Sequence, residues 1–157
     1  MLILATVVLA LGLPVIVLAV LSFCSRRPAD LGARDGFLSD CPSTRHCVCS
    51  QATRADQRIA PLALSGSPEE ALAQLKLTVA RLPGSVIAGE KEGYLHVECT
   101  SRLFRFVDDL EFLADPERGV IHCRSASRTR RFDFGVQRRR LEAIRRAFDI
   151  RCSSLDG

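Results

Sequence analysis

Hydrophobic and polar positions divide the chain into three parts with different rhythms. Met1 to Phe23 is almost wholly aliphatic and contains no charged side chain. A run of this length is enough to cross a bilayer as a helix, and Pro14 can kink such a span without preventing it. From Arg26 to Gly66 no periodicity persists, and Pro, Ser, Asp, Gly and Arg dominate, which reads as linker and extended loop. Within it, Ile59 to Leu64 alone has the character either of a short strand or of a segment packed on the core. Regular periods return at Ser67.

There Ser67 can cap a helix, Pro68 suits its first position and Glu70 completes a capping box. Leu72, Leu75, Val79 and Leu82 recur at steps of three and four, forming one apolar stripe that ends at Pro83-Gly84. Four strand-like runs follow: Ser85 to Gly89, Tyr94 to Cys99, Leu103 to Leu113 and Val120 to Ser127. The turn-like links Glu90 to Gly93 and Ala114 to Gly119 imply antiparallel neighbours. A last helix is predicted from Val136 to Phe148, with Leu141, Ile144 and Phe148 on one face. The expected fold class is α+β: an N-terminal transmembrane helix, then a two-layer domain with an antiparallel sheet of about four strands and two helices packed on one face. The corresponding domains are an anchor at 1–24, a linker and cysteine-containing loop at 25–66, the α+β domain at 67–150 and a tail at 151–157.

Centring the last hairpin on Pro116 and Glu117 pairs Phe112 with Ile121, Leu110 with Cys123, Asp108 with Ser125 and Phe106 with Ser127, all on one face. The other face then pairs Glu111 with His122 and Asp109 with Arg124. This register sends Asp108 to the apolar side, where an ionised carboxylate needs donors. Ser125, Ser127, Ser101 and Arg128 are the nearby candidates, and Asp108 with Arg128 would line a polar pocket at the sheet's end. The structural alternative is that Asp108 satisfies backbone amides or anchors the Arg128 loop.

Charge changes the picture at the C-terminal end. The net charge is +4, but ten arginines lie from Arg124 onward against Asp133, Glu142, Asp149 and Asp156. A basic end can meet an anionic ligand, nucleic acid or an acidic protein, or can be a solvated helix face. Nucleic acid is disfavoured, because only Phe132 and Phe134 interleave with the arginines. Arg26 and Arg27 after the apolar run argue for a cytoplasmic domain. The seven cysteines argue for an oxidising, extracytoplasmic one, the placement preferred here for a single-pass protein of the cell membrane. No Lys or Arg precedes the run, and Phe23 is too bulky for a lipoprotein site at Cys24, so the anchor reads as uncleaved.

Cys99 and Cys123 fit as small hydrophobes inside strands. Cys41, Cys47 and Cys49 crowd one polar loop, where Cys41 could close a ring with Cys47 or Cys49. Zinc with His46 is the rival, but Cys-x-Cys spacing without a second cysteine pair departs from the usual zinc sites, so no metal or other cofactor is expected.

Five segments resemble a known family, the domain of unknown function 1499. They are Cys41-Pro42, Cys47-Val-Cys-Ser-Gln51, Phe106-Val-Asp-Asp109, Arg124-Ser-Ala-Ser-Arg128 and Asp133-Phe-Gly-Val-Gln-Arg-Arg-Arg140. The resemblance runs from Cys41 to Phe148. The chain departs from the pattern at Cys49 (Ser in the family), at Arg130 and Phe132 (Gly and Ser) and at Gln137 (Asn). It implies a membrane-anchored or exported domain in which Cys41 pairs with Cys47, and it brings no activity with it.

The functional expectation is a non-enzymatic binding module, tethered to a membrane, that recognises an anionic ligand or a protein partner. Its expected ligand residues are Asp108, Ser125, Ser127, Arg128, Asp133, Gln137, Arg138 and Arg140, with backbone amides at the start of the last helix. The alternative is a hydrolase-like or thiol-dependent enzyme around Asp108, Ser125 and Arg128. No catalytic residue is assigned: His122 and Cys123 point to opposite faces of a strand, and His96 and His122 lie across the sheet from Asp108.

Overall fold

A computed structural model describes residues 12, 27–44, 46–103, 105–129 and 135–153. Among the described residues eight strands and two helices follow in this order: β1 (Ala33–Arg34), β2 (Phe37–Leu38), β3 (Cys47–Cys49), β4 (Leu62–Ala63), α1 (Pro68–Val79), β5 (Ser85–Lys91), β6 (Tyr94–Thr100), β7 (Val107–Asp115), β8 (Val120–Ser127) and α2 (Val136–Ser153). β1 and β2 form a two-stranded sheet. The other six make one antiparallel sheet in the order β3-β8-β7-β6-β5, with β4 also paired to β8.

The expected fold class is therefore corrected. The molecule is mostly sheet, with six strands in the main layer and two in a second sheet. The added strands come from the stretch expected to be linker. They are two or three residues long, too short to show an alternating period. The transmembrane helix is not supported either: among the described residues no helix is long and apolar enough to cross a membrane. The predicted span at 1–24, Gly12 apart, lies outside the described residues.

α1 starts as its capping chemistry requires. The Ser67 hydroxyl accepts the Glu70 amide at 3.3 Å, and the Glu70 carboxylate accepts the Ser67 amide at 3.0 Å. Ala71, Leu72, Leu75 and Val79 of α1, together with Leu141, Ile144 and Phe148 of α2, pack on Leu95, Val97, Leu110, Phe112, Ile121 and Cys123 of the sheet. Gly84 permits the return to β5. Its φ is +74°, and a Cβ there would lie 2.2 Å from the Thr100 carbonyl oxygen, so no side chain fits.

The β7–β8 register differs from the expected one by two residues. Phe112 pairs with Cys123, Leu110 with Ser125 and Asp108 with Ser127, because the turn centres on Glu117 and Arg118 rather than one residue earlier. A slip of two preserves which face each side chain occupies, whereas a slip of one would have reversed it. Leu110, Phe112 and Asp108 thus share the helix-covered face with Cys123 and Ser125, and the opposite face carries His96, Glu98, Asp109, Glu111 and Arg124. Residues before β4 cover that opposite face, where Leu38, Cys41, Cys47, Cys49 and Ala52 cluster with Tyr94 and Ala126.

Candidate functional site

The residues expected to form one pocket fall on two sides of the sheet. On the helix-covered side, Asp108 is buried and pairs with Arg140 of α2 at 2.7 Å, not with Arg128. Arg140 also donates to the Gln137 side-chain oxygen at 3.0 Å, and the Ser125 hydroxyl donates to that same oxygen. This cluster joins α2 to the strand ends. Arg138 holds the backbone oxygens of Asp56 and Arg58 at 3.0 and 2.9 Å, which fastens α2 to the preceding loop. Ser127 meets Thr129 at 3.1 Å. Asp133 lies outside the described residues.

On the other side Arg128 is the centre of an ion-pair network. Its Nε and Nη2 donate to the two carboxylate oxygens of Asp109 at 2.8 and 2.7 Å, and Nη2 also donates to Glu98 at 2.7 Å. His96 meets Asp109 at 2.9 Å, and Arg27 reaches Glu98 at 2.6 Å. Burial pushes the Asp109 carboxyl upward, but hydrogen bonds from Arg128 and His96 outweigh it and hold the group below the usual carboxylate range. Glu98 shows the same balance between burial and its two arginines. The pair expected between Asp109 and Arg124 does not form. Arg124 instead donates to Glu111 at 2.6 Å, and the Tyr94 hydroxyl and Gly32 amide donate to that glutamate at 2.8 and 2.7 Å.

Above this floor opens a cavity of about 530 Å3 between the N-terminal segment at 27–30, the Cys41–Pro42 turn and β8. Besides His46, its charged lining residues are Arg27, Arg124 and Arg128 against Asp30, Asp40 and Asp109. Cys41 is joined to Cys47 by a disulfide, which pins the cavity's wall to β3. The two cysteines that the family resemblance paired are the bonded ones. Of the expected ligand residues, Ser127 and Arg128 border this cavity. Asp109, Arg124 and Asp30, not chosen from sequence, border it as well. For Asp109 and Arg124 the signal was present, since each neighbours a chosen residue on a strand and so faces the opposite side. For Asp30 no periodic pattern marked the segment.

Two chemistries can be weighed on this geometry. His96, Glu98 and Asp109 offer ligand atoms within 4.8 Å of one another, a spacing that could hold a metal ion. The Arg128 guanidinium already donates to both carboxylates, so a divalent ion would have to displace it. The donor set therefore fits an ion-pair network better than a metal. Thiol chemistry is poorly served at the three buried free cysteines: burial raises Cys49, pushes Cys99 up to about 11 and pushes Cys123 up to about 12. Elsewhere, the Ser50 hydroxyl meets His122 at 3.2 Å and His122 meets Asp115 at 3.3 Å. Ser50 also accepts the Cys123 amide at 3.0 Å, Asp115 is shared with Arg118, and none of the three lines the cavity. That line of residues ties β3 to the β7–β8 hairpin.

The fold and site define a class: an antiparallel-sheet domain with two helices on one face and a loop-covered, charged cavity on the other. The family model for the protein of unknown function DUF1499 matches residues 37–148, most of the chain, and the protein belongs to that family. No curated protein and no solved structure matches it.

Proposed function

We propose that the chain is a binding module whose recognition site is the cavity beneath the N-terminal segment. The observation that supports this is the preorganisation of the floor. Asp109 is 1% exposed and Arg124 3% exposed, and each is held by other buried or half-buried side chains. A ligand entering such a site finds its polar partners already oriented, so little side-chain entropy is lost on binding. The volume suits a small molecule, and the wall contributes apolar surface from Pro28, Pro42 and Ala126. The opposite cluster around Asp108 and Arg140 acts as a joint between α2 and the sheet, which separates scaffold from site.

The test is an amide-resolved NMR screen of the purified chain against small polar molecules. Binders should move resonances of Cys41, Ala126 and Arg128 together, and Ala126→Phe, which fills the cavity from β8, should abolish the response while circular dichroism stays unchanged. Binders that move only residues outside the cavity would overturn the reading.

A further inference from the structure

We infer that Arg124 keeps an unfilled carboxylate-binding edge at this cavity, and that Asp30 is its internal stand-in. The inference rests on the reading of the cavity as a binding site and names the ligand class. A guanidinium offers Nε and Nη2 along one edge, spaced to grip both oxygens of a carboxylate. Arg128 shows that edge filled: Nε and Nη2 each donate to one oxygen of Asp109, at 2.8 and 2.7 Å. Arg124, four residues earlier and within β8, has the same edge unfilled. Its Nη1 is anchored to Glu111 at 2.6 Å. Its Nε is buried without a hydrogen-bond partner. Its Nη2 meets Asp30 at 3.5 Å, longer than a good N–H···O bond.

The side chain of Arg124 is 4% exposed and that of Asp30 56%, so the cation is enclosed by protein while its weak partner faces solvent. A buried donor left unsatisfied carries its desolvation cost uncompensated, so an incoming acceptor that reaches Nε recovers an interaction the protein lacks by itself. Charge selects among acceptors. The lining arginines and aspartates balance three against three, His46 aside. One carboxylate replacing Asp30 at Arg124 keeps that balance locally, whereas a phosphate dianion brings a surplus negative charge toward Asp40 and Asp109. The apolar wall at Pro28, Pro42 and Ala126 suits a compact apolar body behind the carboxylate. The ligand class is therefore a small monocarboxylate with an apolar or aromatic body, seated side-on against Arg124 with Asp30 swung outward.

The experiment titrates the full chain with benzoate, acetate and inorganic phosphate while following arginine Nε–H resonances and cavity amides. Benzoate should shift the Arg124 Nε–H signal and bind more tightly than acetate or phosphate. Arg124→Lys, which keeps the charge and loses the paired edge, should weaken benzoate about tenfold. Asp30→Asn should strengthen it severalfold, because the competing carboxylate is gone. Asp30 is exposed, so that variant remains informative even where Arg124→Lys fails to fold. Phosphate binding as tightly as benzoate, or an affinity unchanged by Asp30→Asn, overturns the inference. If another compound from the screen moves the cavity amides while Arg124 Nε–H stays still under benzoate, the carboxylate assignment fails and the binding-module reading stands. If no compound moves the cavity amides, both fail.

Discussion

The two faces of the central strands β6, β7 and β8 are both largely buried, and they are buried by opposite means. Beneath the helices, Leu95, Val97, Leu110, Phe112, Ile121 and Cys123 meet apolar side chains of α1 and α2. Beneath the N-terminal segment, His96, Asp109, Glu111 and Arg124 are as fully covered, yet each is titratable. Apolar burial is non-directional and scales with area. Charge burial requires that every ion find a geometrically suitable partner, because an unpaired one is prohibitive. The comparison teaches that one face makes the fold stable, while the other makes a specific shape in which loss of any one partner is costly.

The largest expected effects come from breaking each face once. Phe112→Ala should cost about 3–5 kcal/mol through lost transfer energy and a cavity. Arg128→Met should cost a similar amount, about 3–5 kcal/mol, because Asp109 would be left as a buried charge without its main partner. Urea denaturation at pH 7 measures both. The faces separate when a second change is added. Asp109→Asn in the Arg128→Met background should restore part of the loss, since neutralising both members removes the stranded charge. No single truncation beside Phe112 should restore stability in Phe112→Ala. If the double variant is less stable than Arg128→Met alone, the ion-pair account of this face is wrong.

Acid sharpens the same contrast, and its sign follows from the direction of the shifts. Asp109 and Glu98 are held below their ordinary range in the fold, through arginine and histidine partners that outweigh burial. Their contribution is present above the unfolded carboxylate value of about 4 and is lost as pH falls through the folded value. The native chain should therefore lose stability in acid. In Arg128→Met the stranded Asp109 is better protonated, so the gap between native and variant should narrow as pH drops from 7 to 4. A constant gap over that range would count against a charge-based cost.

The disulfide tests how far the covering segment depends on its staple. Cys41 and Cys47 are six positions apart. Closing so short a ring is worth about 2 kcal/mol in the chain-entropy view. Replacing both cysteines by alanine should lower stability by roughly that amount and should loosen amide protection around the cavity wall, with little change in α1 and α2. Equal loss of protection in both helices would show that the two faces unfold as one unit and would weaken the distinction between them.

What the sequence revealed follows the same division. The apolar face was legible because stripes such as Leu72, Leu75 and Val79, and alternations such as Leu110 and Phe112, repeat with the period of their element. Face assignment survived an error in register because the error was two residues. The charged face was legible only as parts. Asp108 was followed inward to the wrong arginine, since alternation tells which side a residue takes but not which cation arrives there from a helix 32 positions away. Arg140, not Arg128, meets Asp108. The short strands β1 to β4 and the placement of Asp30 left no periodic trace, because their positions come from long-range pairing. The Cys41–Cys47 bond was recovered through family resemblance, which carries information that local spacing does not.

The smallest effect lies inside the charged face and sets its boundary. Arg27 and Arg128 donate to the same Glu98 oxygen, at 2.6 and 2.7 Å. Arg27 has a side chain 54% exposed, whereas that of Arg128 is 7% exposed. Distance alone would rank them equal. Solvent does not: an exposed pair is screened and entropically costly to hold, so Arg27→Ala should cost less than about 1 kcal/mol, and the difference should fade further in 1 M salt. Arg128→Met should retain most of its cost at the same salt concentration, because its main partner, Asp109, is 1% exposed and lies where counterions do not reach. Should the two variants prove equally salt-sensitive, the network is open to solvent throughout, and the rigidity attributed to the cavity floor goes with it.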